Sequence, residues 1–190
     1  MDQTQFRALE ASFAPAVYRY HQLRSQRVQA GQSIKKAMQR VHALENQLEL
    51  LSATDPSSLA PDQRASLENL KAQLHQELAL AQQELDTVMQ QFDKVSEALS
   101  ASIAAIVAMA KQYHAMEKIL HQRLIEVNQQ EQALLAKSES LHLAPPKLPR
   151  EQIEAQKAEM RRIAACCHAR EDQAAELLGP EFRLQAEIKI

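Results

Sequence analysis

Apolar side chains return every seven residues along most of this chain. One series runs Leu9, Ala16, Leu23, Ala30, Ala37, Leu44, Leu51, and its companion runs Phe13, Tyr20, Arg27, Ile34, Val41, Leu48, with Arg27 its one charged member. That spacing puts both series on one side of a helix and predicts a coiled-coil seam. A second stretch carries Leu78, Leu85, Phe92, Leu99, Ile106, Tyr113, Leu120, Val127 and Leu134. Its companion row is Ala81, Val88, Val95, Ser102, Met109 and Met116, lapsing at Arg123 and Gln130. Leu67, Leu70 and Leu74 precede it in a shifted frame, the mark of a stutter. A third stretch is weaker: Ile153, Met160, Cys167 and Ala174, with Ile163 and Leu177.

Two proline-bearing segments divide these stretches. They predict helix one over 1–52, a loop over 53–61, a long central helix over 62–143, a Pro-rich loop over 144–149, helix three over 150–178 and a tail over 179–190. Pro61 and Pro149 suit first helical positions, where a missing N–H costs nothing, and Gly179-Pro180 suits a helix stop. Pro15 is expected in the first turn of helix one or at a kink near its start. The central helix has no internal Pro or Gly and would measure ~120 Å at the usual rise. Folding helices one and three back on it tiles it almost end to end. The predicted fold is all-α: an elongated antiparallel coiled coil of three helices with a very long central helix, best treated as one elongated domain. The alternative is a compact four-helix bundle, which requires the small-residue stretch 98–105 to bend.

Composition and charge agree with this picture. Aromatics are 4% and there are two glycines, too few for the turns and core of a compact β or α/β domain, while hydrophobic residues at 45% argue against disorder. A net charge of −2 gives no general pull toward nucleic acid or membrane. Between Ala11 and Leu44 every charge is basic, including Arg19, Arg24, Arg27, Lys35, Lys36 and Arg40, whereas Glu77, Glu84, Asp86 and Asp93 fall on the facing part of the central helix. Opposed flanking charges select partner and orientation in coiled coils. Flush pairing about the first loop would set Arg40 opposite Leu74. Met1-Asp2-Gln3-Thr4-Gln5 has neither the basic start nor the apolar run of a signal peptide, so none is expected, and the most apolar run, Ala98 to Ala110, is shorter than the ~20 residues a membrane span needs. A cytoplasmic protein is expected, with export by a signal-less route left open.

Candidate chemistry is sparse. His114, Glu117 and His121 project from nearly one helical face and could form a metal stripe, but no second ligand cluster stands out and the positions fall off the Tyr113–Leu120 seam, so no metal and no cofactor are expected. Cys166 and Cys167 are adjacent, which suits neither chelation nor a redox pair; Cys167 on the seam reads as a small hydrophobe. His42 and His75 could approach across the first hairpin. Neither glycine belongs to a phosphate-binding loop, and no catalytic residues are expected.

The remaining signal is surplus apolar surface. Ile103, Val107, Ile119, Leu124, Ile125 and Leu135 lie outside the main seam of the central helix. Either a partner binds there, or helices one and three overlap near 103–110 and cover it in a local three-helix core. The expected function is a non-enzymatic coiled-coil scaffold or adaptor whose partners are other proteins bound through helix–helix contacts, with self-association left open and nucleic acid not expected. The architecture resembles the antiparallel coiled-coil stalks of type III export systems, which would imply a stalk or chaperone-like component of a bacterial secretion machine; the third helix departs from their simple hairpin. The competing class is a membrane-active helical protein, curvature-binding or a toxin subunit. The tail, with Ile188 and Ile190, could add a strand to a partner sheet.

Overall fold

A computed structural model describes residues 3–54, 60–141 and 150–179. The expectations for Pro149, Pro180 and the tail with Ile188 and Ile190 lie outside the described residues. Three α-helices follow one another: α1 (Gln3–Ser52), α2 (Pro61–Ser140) and α3 (Arg150–Leu178). The fold is all-α with a long central helix. Residues 98–105 are helical throughout, so α2 is assigned as one helix there and not as two.

Local chemistry accounts for the helix ends. Pro61 opens α2; the Gln63 side-chain oxygen accepts from the Ala60 N–H at 3.1 Å and Asp62 occupies the first turn. At the end of α3, Gly179 turns left-handed with φ 62° and donates its N–H to the Ala175 carbonyl at 2.9 Å. Of the two places expected for it, Pro15 does not take the first turn. It stands inside α1, well beyond the first turn, where it has no N–H to give the Ala11 carbonyl.

Two compact units divide the residues: one holds 17–102, the other 1–16 with 103–190. In the first, α1 and α2 form an antiparallel pair. Val41, Leu44, Leu48, Leu74 and Ala81 are its buried cluster, with Leu51, Leu78 and Leu85 packed against it. Tyr20, Ala37 and Leu99 are also buried. Arg27, the odd member of its seam, stays exposed and lays its guanidinium 5.5 Å over the Phe92 ring. A Cβ at Gly31 would meet the same ring at 3.9 Å. Arg40 pairs with Glu84 at 3.0 Å. The pairing is therefore not flush about the loop: Arg40 reaches Glu84 rather than Leu74, and Leu74 joins Val41, Leu44 and Leu48. The reason lies in the first turns of α2, where Leu67 is half-buried and Leu70 exposed. Deep burial starts only at Leu74, past the stutter. His42 Nδ1 lies 3.2 Å from Glu45 on its own helix.

In the second unit, α2 and α3 run antiparallel, with His114 beside Glu171 and Glu131 beside Lys157. The beginning of α1 lies alongside α3 in parallel, Gln3 near Glu159 and Glu10 on Arg170. Phe6, Leu9 and Phe13 from α1, Ile106, Val107, Ala110, Tyr113 and Leu120 from α2, and Ile163, Ala164, Cys167, Ala174 and Leu178 from α3 are buried here. This is the local three-helix core that would cover the surplus apolar surface near 103–110. Leu44 tests the other unit: Leu44→Ala removes a buried side chain, and urea unfolding should show a loss of about 2–5 kcal/mol.

Candidate functional site: the three-helix junction

Along α3 the residues facing its neighbours step by three and four: Ile153, Lys157, Met160, Ala164, Cys167, Glu171, Ala174, Leu178, all buried or half-buried. Two of these eight are charged, which is why apolar periodicity alone makes the helix look weak. The matching row on α2 is Ala110, Tyr113, Glu117, Leu120, Leu124, Val127 and Glu131, again all buried or half-buried. Glu117 thus belongs to the seam, not off it. The companion row expected with Tyr113 and Leu120 is also packed: Met109 and Met116 are half-buried along the α1–α2 groove, while Glu117 lies on the flank of the same seam that turns to α3.

One polar knot ties all three helices. Glu10 of α1 accepts from Arg170 of α3 through both carboxylate oxygens, each at 3.0 Å, and from the Tyr113 hydroxyl of α2 at 2.7 Å. Phe13 packs edge-on against Tyr113 with ring centres 5.7 Å apart, and the Arg170 guanidinium lies 5.4 Å from the centre of the Phe13 ring. Tyr113 is fully buried. The Arg170 hydrogen bonds hold the Glu10 carboxyl below its ordinary value, against the opposing effect of burial, with Tyr113 and Cys166 adding to the lowering. Burial, together with the Glu10 carboxylate, raises the Tyr113 phenol, so it remains a donor.

The cysteines belong to the packing. Cys167 is fully buried, and burial pushes its thiol up to about 12; Cys166 is raised for the same first cause. Neither is poised as a thiolate nucleophile. Lys157 is also buried, paired with Glu131 and with Glu154 at 3.2 Å. The Glu131 hydrogen bond raises its pKa, so it keeps its charge.

The histidine stripe gains company from α3. His114 Nδ1 lies 3.0 Å from Glu171 Oε2, while His168 and His121 approach Glu117 Oε1 at 3.8 and 4.0 Å. Burial raises the Glu171 carboxyl; His114 opposes this and Glu117 adds to it. Glu171 was missed in the sequence because it sits in an otherwise apolar row. A signal was available: His114-Ala115-Met116-Glu117 recurs as His168-Ala169-Arg170-Glu171.

The six residues expected at a partner surface are separated by the structure. Val107 is buried in the core, Ile103, Leu124 and Leu135 are half-buried, and Ile119 and Ile125 are about half exposed. Ile119 closes one end of an open groove of about 760 Å³ between the start of α1 and α2. Ala8, Leu9 and Ser12 form one wall; Ala105, Ala108, Gln112 and Ala115 form the other, with Met109 and Met116. No charged residue lines it. Among the described residues no helix is long and apolar enough to cross a membrane.

No protein-family model matches the chain, and no similar curated protein or solved structure was found.

The knot makes a quantitative expectation possible. Arg170→Met removes charged hydrogen bonds and should cost about 1.5–3 kcal/mol in chemical unfolding. The depressed Glu10 pKa contributes stability that is complete above the ordinary carboxylate value of 4.5 and fades as pH falls through the lowered value. Glu10→Gln should therefore melt below wild type at neutral pH, and the gap should close in acid. A gap unchanged by acid would show that the Glu10 charge does not hold the junction.

Proposed function

We propose that the protein is a non-enzymatic adaptor that takes an amphipathic helix of a partner protein into the α1–α2 groove of the three-helix unit. The observation behind this reading is the spacing of the walls. Ala105, Ala108, Gln112, Ala115 and Ile119 follow one another in steps of three and four, as do Gln5, Ala8 and Ser12 across from them. Two facing rows with that spacing provide holes for the side chains of a third helix, on the side of α2 away from α3.

The size and chemistry of the walls select the occupant. Alanine, serine and glutamine leave the groove shallow and let another backbone approach closely, so the bulk that fills it comes from the incoming helix. A second copy presenting the same small-residue face would meet it with little to insert. Met109 and Met116 adapt to varied apolar shapes. A charge-free lining favours leucine, isoleucine or phenylalanine anchors at helical spacing over an acidic or basic peptide. The basic run of α1 belongs to the other unit and has no part in this site.

Photo-cross-linking from Gln112 in the native host tests the reading. A light-dependent adduct to a partner is expected, mapping to an amphipathic helical segment. Ala108→Arg, at an exposed position, should leave the melting temperature near wild type and weaken capture by about tenfold or more. Adducts only with another copy of the chain, or capture that Ala108→Arg leaves intact, would overturn it.

A further inference from the structure

The seam between α2 and α3 contains two charged layers with opposite logic. In one, Glu131 of α2 meets Lys157 of α3, carboxylate against ammonium. Two heptads along, Glu117 of α2 meets Glu171 of α3, with one carboxylate oxygen of each within 4.8 Å of the other. Glu171 Oε1 is shut off from solvent and has no hydrogen-bond partner among the described residues. A buried oxygen in that state is costly, and two facing carboxylates call for a shared proton or a cation.

The surrounding side chains are those that bind a cation of a particular kind. The two His-Ala-x-Glu motifs run in opposite directions, so each histidine faces the other motif's glutamate. His114 Nδ1 lies 3.0 Å from Glu171 Oε2, and His168 Nδ1 lies 3.8 Å from Glu117 Oε1. One donor atom each from His114, Glu117 and Glu171 falls within 4.8 Å of the other two. Zinc bonds of about 2.0–2.2 Å place ligand atoms a little over 3 Å apart, so modest side-chain rotation closes the set. His168 stands next to Glu117 as a further donor, and Asp172 lies 3.7 Å from its other nitrogen, the position of an orienting partner. His114 is half exposed, which leaves a path for an ion to enter.

We propose that His114, Glu117 and Glu171 bind one divalent transition-metal ion of the zinc class, holding α2 to α3. The mixed imidazole and carboxylate set favours such an ion over magnesium or calcium, which prefer oxygen alone. The ion supplies the positive charge that Lys157 supplies in the other charged layer, and it converts a like-charged layer into a cross-link between helices. The site is independent of the adaptor reading, since it faces α3 and the groove faces away from it.

The test uses the full chain, stripped of metal and titrated with zinc by calorimetry, with cobalt(II) as the spectroscopic probe. One zinc per chain should bind and raise the melting temperature, with no response to magnesium. Cobalt should give visible bands without an intense thiolate-to-metal band, although Cys166 and Cys167 are near. Glu171→Gln and His114→Ala should each weaken binding by about 10–100-fold or more. Without metal, Glu171→Gln should melt at or above wild type, because it removes one of two facing anions; Glu117→Gln repeats the comparison from the opposite helix. Absence of zinc binding would overturn the proposal. So would binding that survives these substitutions unchanged, or a cobalt spectrum dominated by thiolate.

Discussion

The carboxylate of Glu10 accepts at once from a guanidinium on α3 and a phenol on α2, and the register of the three-helix unit depends on that meeting. Seams built on a seven-residue repeat are nearly degenerate: slipping one helix by seven residues brings apolar against apolar again. Only layers with distinct chemistry break the degeneracy. Glu10 with Arg170 and Tyr113 is one such layer, and Glu131 with Lys157 is another. A slip of α3 would take the buried Lys157 ammonium away from Glu131 and leave it only Glu154 of its own helix. The Phe13 ring, edge-on to Tyr113 and beneath Arg170, fills the space around the knot, so the polar and apolar constraints enforce the same alignment.

The other unit fixes its register differently. Arg40 and Glu84 are each about half exposed, and an ion pair in that setting is worth only ~0–1 kcal/mol. The Arg27 guanidinium lies over Phe92, the largest residue of the α2 row in this unit, and a Cβ at Gly31 would reach only ordinary contact with that ring.

These two mechanisms explain what could be read from the residues alone. Seven-residue periodicity identified the helices and nearly all of the α1 seam, including the exposed Arg27, because burial follows spacing directly. It stopped short at Phe6, one heptad before Phe13 and buried with it. The helix pairing was less legible, since a flush turn is an assumption about the loop, and packing at Leu74 and Phe92 outweighs it. The first-turn place for Pro15 failed because the helix extends well N-terminal to it. The candidate cluster was half legible. His114, Glu117 and His121 were visible on one helix, but Lys157 and Glu171 sit in the apolar row of α3 and weaken the very pattern used to find that row. Charged residues at seam positions read as noise until the facing helix is known.

Between residues 112 and 120, α2 serves three sides at once. Tyr113 and Leu120 face the core, His114 and Glu117 face α3, and Gln112, Ala115 and Ile119 face the groove. Two turns of helix cannot move on one side without moving on the others, because close-packed interiors transmit displacement rather than absorb it. The surplus apolar residues of α2 follow from this arrangement. A helix clasped on two sides buries Val107 with the core row, while Ile119 remains at the groove edge because neither α1 nor α3 reaches it. The small residues beside it leave that face shallow. The same three-sided geometry separates the groove from the like-charged layer, so what occupies one does not dictate what occupies the other, even though both rest on the same two turns.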